Sequence, residues 1–213
     1  INPAYRVAEL EYAINKVGCK ALILASSFKS SDYVAMVGEL APEISKSTPG
    51  NISCGRLPSL KTVIQIGGKT NDGYFDFGQI SGLASDKDFE RLKVLSDELQ
   101  FDDPINIQFT SGTTGFPKGA TLTHFNVLNN GYFTGEGLKF TSSDKLCVPV
   151  PLYHCFGMVL SNVAALTHGA ALVYPAEAFD PLTVLETVEA ERCTALHGVP
   201  TMFIAELGHP NFK

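Results

Sequence analysis

Ten consecutive residues, Thr110-Ser111-Gly112-Thr113-Thr114-Gly115-Phe116-Pro117-Lys118-Gly119, hold four hydroxyls, three glycines and one lysine. Glycine lacks a Cβ, so the backbone can take positive φ and lie against a ligand, and successive N–H groups can converge on an anion. The hydroxyls add donors, and Lys118 adds a compact, mobile positive charge suited to phosphate oxygens. Lys118 is also the one formally charged residue between Pro104 and Gly135, so its field is not cancelled locally. Ser, Thr and Gly are common in turns, but a hairpin turn needs only two to five such residues. A polyanion is the ligand this composition fits. A Walker loop would need four residues between its glycines and Ser or Thr after the lysine. Here Gly112 and Gly115 enclose two, Gly119 follows Lys118, and a strand pattern comes next. A nucleoside triphosphate therefore remains a candidate, whereas the P-loop ATPase or GTPase class is excluded.

His154 is the second candidate. It lies in Leu146–Ala176, which contains no Asp, Glu, Lys or Arg. Burial there would disfavour the imidazolium and keep the ring neutral. The competing reading is a core histidine bonded to a backbone carbonyl. Pro149, Pro151, Gly157, Gly169 and Pro175 interrupt the stretch, so it reads as buried core and not as a membrane-spanning helix. His124 is placed to begin a helix, and His168, His197 and His209 carry no resolvable signal beyond the position of His197 beside Gly198-Val199-Pro200. Cys19, Cys54, Cys147, Cys155 and Cys193 are scattered, odd in number and without a C-x-x-C pair, so they read mostly as buried thiols with no metal site. A net charge of −6 with no basic block excludes nucleic acid as a partner.

The elements that must carry these residues follow from period and punctuation. Val7, Leu10, Ile14 and Val17 share a helical face, Gly18 stops it, and Ala21–Leu24 reads as a buried strand. Ser31-Asp32 opens a second helix that ends at Ala41-Pro42, and a Pro- and Gly-rich loop leads to a strand at Thr62–Ile66. Gly67-Gly68 and Asn71-Asp72-Gly73 mark turns, and Asp86–Leu99 reads as an amphipathic helix through Phe89, Leu92, Leu95 and Leu99. Further strands are expected at Ile105–Thr110, Ala120–Thr123, Leu146–Val150, Ala171–Tyr174 and Thr194–His197, with helices between most of them and Asp180-Pro181 starting one. Strands separated by helices make a mostly parallel α/β sheet or sheets with flanking helices. Thr110 to Ala120 leaves room only for a loop, which makes the candidate phosphate loop the tip of a hairpin. The chain shows no internal repeat and no low-complexity linker.

Gln108–Ala120 resembles the Ser/Thr/Gly-rich signature of the adenylate-forming superfamily of acyl-CoA synthetases, luciferases and adenylation domains, whose pattern T-S-G-T-T-G-x-P-K-G is met at every position. Pro151-Leu152-Tyr153-His154-Cys155-Phe156-Gly157 is similar to the family segment P-L-[FY]-H-x-x-G, and Gly198-Val199-Pro200-Thr201-Met202 is similar to its acyl-pocket strand. From Asn2-Pro3-Ala4-Tyr5 to Val199-Pro200-Thr201 the whole chain resembles the mitochondrial medium-chain acyl-CoA synthetases. The resemblance implies a fatty acid–CoA ligase: carboxylate attacks the α-phosphate of ATP, pyrophosphate leaves, and the acyl-adenylate meets the thiol of coenzyme A. It implies that Thr110, Ser111, Gly112, Thr113, Thr114, Gly115, Phe116, Pro117 and Lys118 wrap the phosphates. It places His154 beside the acyl carboxylate as the catalytic and substrate-contacting residue, and puts Gly198, Val199 and Pro200 against the substrate. Gly157–Leu160 and Val199–Phe203 either line that pocket or are ordinary core.

The family segments that hold magnesium, adenine and ribose, and the small C-terminal domain with its catalytic lysine, have no counterpart in the sequence. Ile1 and Lys213 read as cut points inside a longer protein. Residues 1–213 are therefore expected to be part of the large N-terminal, AMP-binding domain, with the Mg2+ ligands elsewhere and no turnover by this piece alone. A mitochondrial location is implied by resemblance only. The alternative classes are an aryl-acid ligase, a luciferase-like or peptide-synthetase adenylation domain, and a non-catalytic nucleotide-binding scaffold.

Overall fold

The computed structural model describes residues 1–110 and 117–212. These form two compact units, one from residues 1–99 with 117–119 and the other from 100–110 with 120–212.

In the first unit, α1 (Val7–Lys16) buries Leu10, Ala13 and Ile14 and keeps Glu9 in its first turn and Lys16 in its last, where each charge complements the helix dipole. Gly18 at φ +61° ends it. The chain then enters β1 (Ala21–Ala25), makes a small antiparallel ribbon of β2 (Ser27–Phe28) and β3 (Ser31–Asp32), and turns into α2 (Tyr33–Leu40). Asp32 starts α2 by accepting the Ala35 N–H at 2.9 Å. β4 (Thr62–Ile66) and β5 (Phe75–Asp76) complete a parallel sheet in the order β1-β4-β5. Ile14, Val37, Leu40, Ile44, Leu57, Leu60 and Val63 form its core and are almost fully buried. Each such side chain contributes roughly 1.5–3 kcal/mol by leaving water.

Two expectations are corrected in this unit. β1 lies at the edge of this sheet among the described residues, and its exposure alternates with Ile23 54% exposed, because successive side chains point to opposite faces and only one face is covered. The helix α3 (Asp86–Glu98) forms where its period and its Ser85–Asp88 capping box place it, yet it buries no residue, and Phe89, Leu92 and Leu99 stand exposed. Period fixes which residues share a face, not whether another element covers it.

In the second unit, β6 (Pro104–Phe109) pairs with β7 (Gly119–Thr123), which runs directly into α4 (His124–Leu138). β8 (Lys145–Cys147) is the centre of a second parallel sheet, flanked by β9 (Ala171–Val173) and β10 (Ala195–Leu196) in the order β10-β8-β9. After β8 the Val148 N–H still bonds the Val173 carbonyl at 2.9 Å, but the strand expected to reach Val150 stops. Pro149 and Pro151 have no N–H with which to continue a ladder. The chain then forms a π-helix at Phe156–Val163 that continues into α5 (Ala164–His168). α6 (Pro181–Glu191) begins at Asp180-Pro181, where the Asp180 carboxylate accepts the Thr183 N–H at 2.9 Å. α7 (Pro200–Leu207) closes the unit. Leu146, Val148, Val150, Ala164, Ala165 and Ala170 are the buried centre.

Candidate functional site

β6 and β7 hold the ends of the candidate phosphate loop. Thr110 follows β6 and Lys118 precedes β7; both are exposed, and among the described residues Lys118 makes no ion pair. Ser111, Gly112, Thr113, Thr114, Gly115 and Phe116 lie outside the described residues. The Pro117 carbonyl accepts a hydrogen bond from the Tyr12 hydroxyl at 3.2 Å. On β6, Asn106 and Gln108 share a half-buried face and each directs its amide nitrogen at Met158 Sδ, 3.7 Å away. Asn106 Oδ1 is buried without a hydrogen-bond partner among the described residues. At the other end of the hairpin, Thr123 caps α4: its Oγ1 accepts from the Asn126 N–H at 3.2 Å, and its own N–H donates to Asn126 Oδ1 at 3.1 Å. His124 is the first residue of α4, as its position in the sequence implied, and its N–H donates to the Asp103 carbonyl at 3.2 Å.

His154 sits in the turn between β8 and the π-helix. Its N–H donates to the Pro151 carbonyl at 3.2 Å, and its Nδ1 accepts the Phe156 N–H at 3.1 Å. An accepting Nδ1 carries a lone pair, so the neutral ring bears its proton on Nε2. The expectation that burial governs this histidine is corrected: His154 is exposed, as are Leu152 and Tyr153 at 45% and 48%, because the paired prolines carry the chain off the sheet. Cys155 is exposed as well, with Sγ 3.7 Å from His154 Nδ1, while Cys54 and Cys147 are buried. Gly157 is required below the turn, since a Cβ there would run into the Pro151 carbonyl.

Two groups beside His154 gave no chemical signal in the sequence. Ser161 is fully buried, and its Oγ donates to the Phe156 carbonyl at 2.9 Å. The same Oγ lies 2.8 Å from His197 Nδ1. A hydroxyl has one proton and a carbonyl can only accept, so His197 supplies the second proton from Nδ1. The His197 ring packs on Phe156 with centroids 5.3 Å apart and on Phe140 at 6.4 Å. Burial pushes its pKa below the usual imidazole range. The signal that could have singled out His197 is its place just past β10, at the carboxyl end of a parallel strand where α/β sheets bind ligands.

Gly198, Val199 and Pro200, expected on a strand, are instead the junction from β10 into α7. Val199 is the N-cap and Pro200 the first helical residue. Proline's fixed φ and missing N–H suit that position and exclude a strand interior. Val199 is 38% exposed, and a Cβ on Gly198 would stand 3.1 Å from the Phe203 ring. Gly157 and Val159 are buried, whereas Met158 and Leu160 are half-buried. Among the described residues no three His, Cys, Asp or Glu side chains converge to hold a metal ion. Among them, too, no helix is long and apolar enough to cross a membrane.

A family model described as AMP-binding enzyme matches residues 1–213. A putative acyl-CoA synthetase, YngI of Bacillus subtilis, is 46% identical over 212 residues, covering 100% of this chain and 38% of its own length. The mitochondrial medium-chain acyl-CoA ligase ACSF2 of Danio rerio is 43% identical over 213 residues, covering 99% of this chain and 35% of its own. The crystal structure of ATP-bound MatB from Rhodopseudomonas palustris superposes with a TM-score of 0.67 at 28% identity, over 99% of this chain and 35% of that one. The chain thus spans little more than a third of the relatives it matches.

Proposed function

We infer function from one premise: the chain belongs to the AMP-binding enzyme family, whose model matches it from residue 1 to residue 213. We propose that the protein carrying this chain is an ATP-dependent acyl-CoA ligase acting on a medium-chain fatty acid. A carboxylate oxygen bonds to the α-phosphorus and the bond to the pyrophosphate oxygen breaks. The coenzyme A sulfur then bonds to the acyl carbon, loses its proton, and AMP leaves. No enzyme nucleophile is needed, so the protein's part is positioning and charge stabilisation. Residues Thr110–Lys118 hold the β- and γ-phosphates, with Lys118 supplying the positive charge. His154 meets the acyl carboxylate through its outward Nε2–H. Gly198, Val199 and Pro200, at the start of α7, border the acyl chain.

The observation that carries this reading is the hydroxyl- and glycine-rich loop between β6 and β7, ending in a lysine with no ion-pair partner among the described residues. The relatives, named as acyl-CoA synthetase and medium-chain acyl-CoA ligase, support the thioester product and the acid class. A mitochondrial location is proposed on the animal relatives' names alone. No specific observation favours an aryl-acid, luciferase-like, peptide-synthetase or scaffold function. We also propose that residues 1–213 are part of a larger AMP-binding domain and do not turn over by themselves.

ATP–pyrophosphate exchange in the full-length protein is the test. Lys118→Ala, which removes a charge aimed at the departing pyrophosphate, is expected to lower exchange by roughly 10²–10³-fold, the range seen for deleting one preorganised stabilising donor. Gly115→Val is expected to lower it by blocking backbone approach. Unchanged exchange in both folded variants would sink the phosphate-cradle reading, and a maximum of kcat/KM outside medium-chain acids would sink the substrate assignment.

A further inference from the structure

We propose that Ser161 and His197 are positioning residues for His154, acting through the backbone of Phe156. The inference rests on the reading that His154 works at the acyl carboxylate.

Three hydrogen bonds connect the two histidines. His197 Nδ1 donates to Ser161 Oγ at 2.8 Å, Ser161 Oγ donates to the Phe156 carbonyl at 2.9 Å, and the Phe156 N–H donates to His154 Nδ1 at 3.1 Å. Phe156 is thereby held at both of its polar groups, its carbonyl by Ser161 and its N–H by His154. The π-helix makes this possible, because Ser161 lies five residues after Phe156 and that spacing is its repeat. π-turns of this kind recur at functional sites. Gly157 allows the close approach of the Pro151 carbonyl that brings His154 over the start of the π-helix.

The direction of each bond follows from donor counts, and the consequence reaches the exposed end of the network. With Ser161 spending its proton on the carbonyl, His197 must present Nδ1–H, which fixes one tautomer and one ring orientation. Tilted contacts with Phe156 and Phe140 pack the ring on two sides. With the Phe156 N–H directed at Nδ1, His154 keeps its Nε2–H turned away from the π-helix. A bare methyl at position 161 would free the Phe156 carbonyl, and a histidine ring with no anchored N–H beneath it could flip or swing.

The test uses the full-length protein, with thioester formation, the KM for ATP and melting temperature measured on each variant. Ser161→Ala and His197→Phe are expected to lower kcat for thioester formation by roughly 10–100-fold, the loss expected from misplacing a reacting group by about 1 Å. The KM for ATP stays within about twofold of wild type, because phosphate binding belongs to a separate loop. His197→Asn, whose amide nitrogen can replace Nδ1–H, is expected to recover most of the rate. In a His154→Ala background, neither Ser161→Ala nor His197→Phe has a further effect, since groups acting as a unit are non-additive. If Ser161→Ala fails to fold, His197→Phe carries the test of full loss, and Ser161→Cys, which keeps a weaker donor in place, is expected to show a smaller loss than His197→Phe. The proposal is overturned if folded Ser161→Ala and His197→Phe retain the wild-type rate while His154→Ala loses it, or if their losses multiply with that of His154→Ala. If His154→Ala itself has no effect, the assignment of His154 to the carboxylate falls, and this proposal with it.

Discussion

Glu206 offers a quantitative check on the packing of α7. The residue is only 3% exposed, its Oε1 finds no donor among the described residues, and burial raises its carboxyl above the ordinary value of 4.5. An unsatisfied buried polar group costs about 1–3 kcal/mol. Glu206→Met keeps the volume and removes the carboxyl, so at neutral pH it should stabilise the fold by about that amount, each kcal/mol moving Tm by roughly 2–4 °C for a domain of this size. The pH dependence has a definite sign. Below 4.5 the carboxyl is protonated in both the folded and unfolded protein. As pH rises through 4.5 the unfolded chain releases the proton while the fold retains it, so the wild type loses stability relative to Glu206→Met. That loss has a limiting slope of about 1.4 kcal/mol per pH unit until the raised folded-state value is passed. Thermal and denaturant unfolding of both proteins from pH 4 to pH 8 measures it. Parallel stability curves, or a variant less stable than wild type across the range, would refute the reasoning.

Gly135→Ala should destabilise by about 1–3 kcal/mol, read as a lower denaturant midpoint. Its Cβ would collide with the His168 ring, which is held by Thr167, by Glu136 at 3.1 Å and by stacking on Tyr132. In native protein at pH 7.5, maleimide should label exposed Cys155 and leave Cys147 untouched until the chain is unfolded, because burial pushes the Cys147 thiol up to about 12 and only thiolate reacts. Mass spectrometry of the labelled peptides decides it, and early modification of Cys147 would count against the buried environment.

Signals that act within three or four residues were readable without the fold. Asp32 and Asp180 cap α2 and α6 because a short carboxylate satisfies N–H groups two or three positions on, whatever surrounds it. Gly18 ends α1 because it alone pays no steric penalty at positive φ. Thr62–Ile66 forms β4 with the bounds its apolar run implied. The strands β6 and β7 were legible for a similar reason, as each forms where the sequence on either side of the hydroxyl- and glycine-rich segment implied. The turn into α7 was missed, because the family likeness pointed to a strand although Pro200 stands at a first helical position as Pro181 does.

Charge-poor sequence around His154 implied burial, but exposure depends on which elements come to cover a segment, and Pro149 and Pro151 lead this one off the sheet. The same dependence leaves the apolar face of α3 exposed. The wide π-turn is a backbone register that no local propensity encodes, and it alone brings Ser161 back to the Phe156 carbonyl. His197 lies 36 residues beyond Ser161, and its ring reaches that hydroxyl only because β10 pairs with β8 in one parallel register. The amino-acid sequence by itself thus determined the kinds of groups present, the caps and the strands on either side of the hydroxyl- and glycine-rich segment, because each rests on covalently near neighbours. Tertiary structure decided which histidine is anchored, through which peptide and with which proton, because hydrogen bonds between distant segments exist only once the strands that carry them have paired.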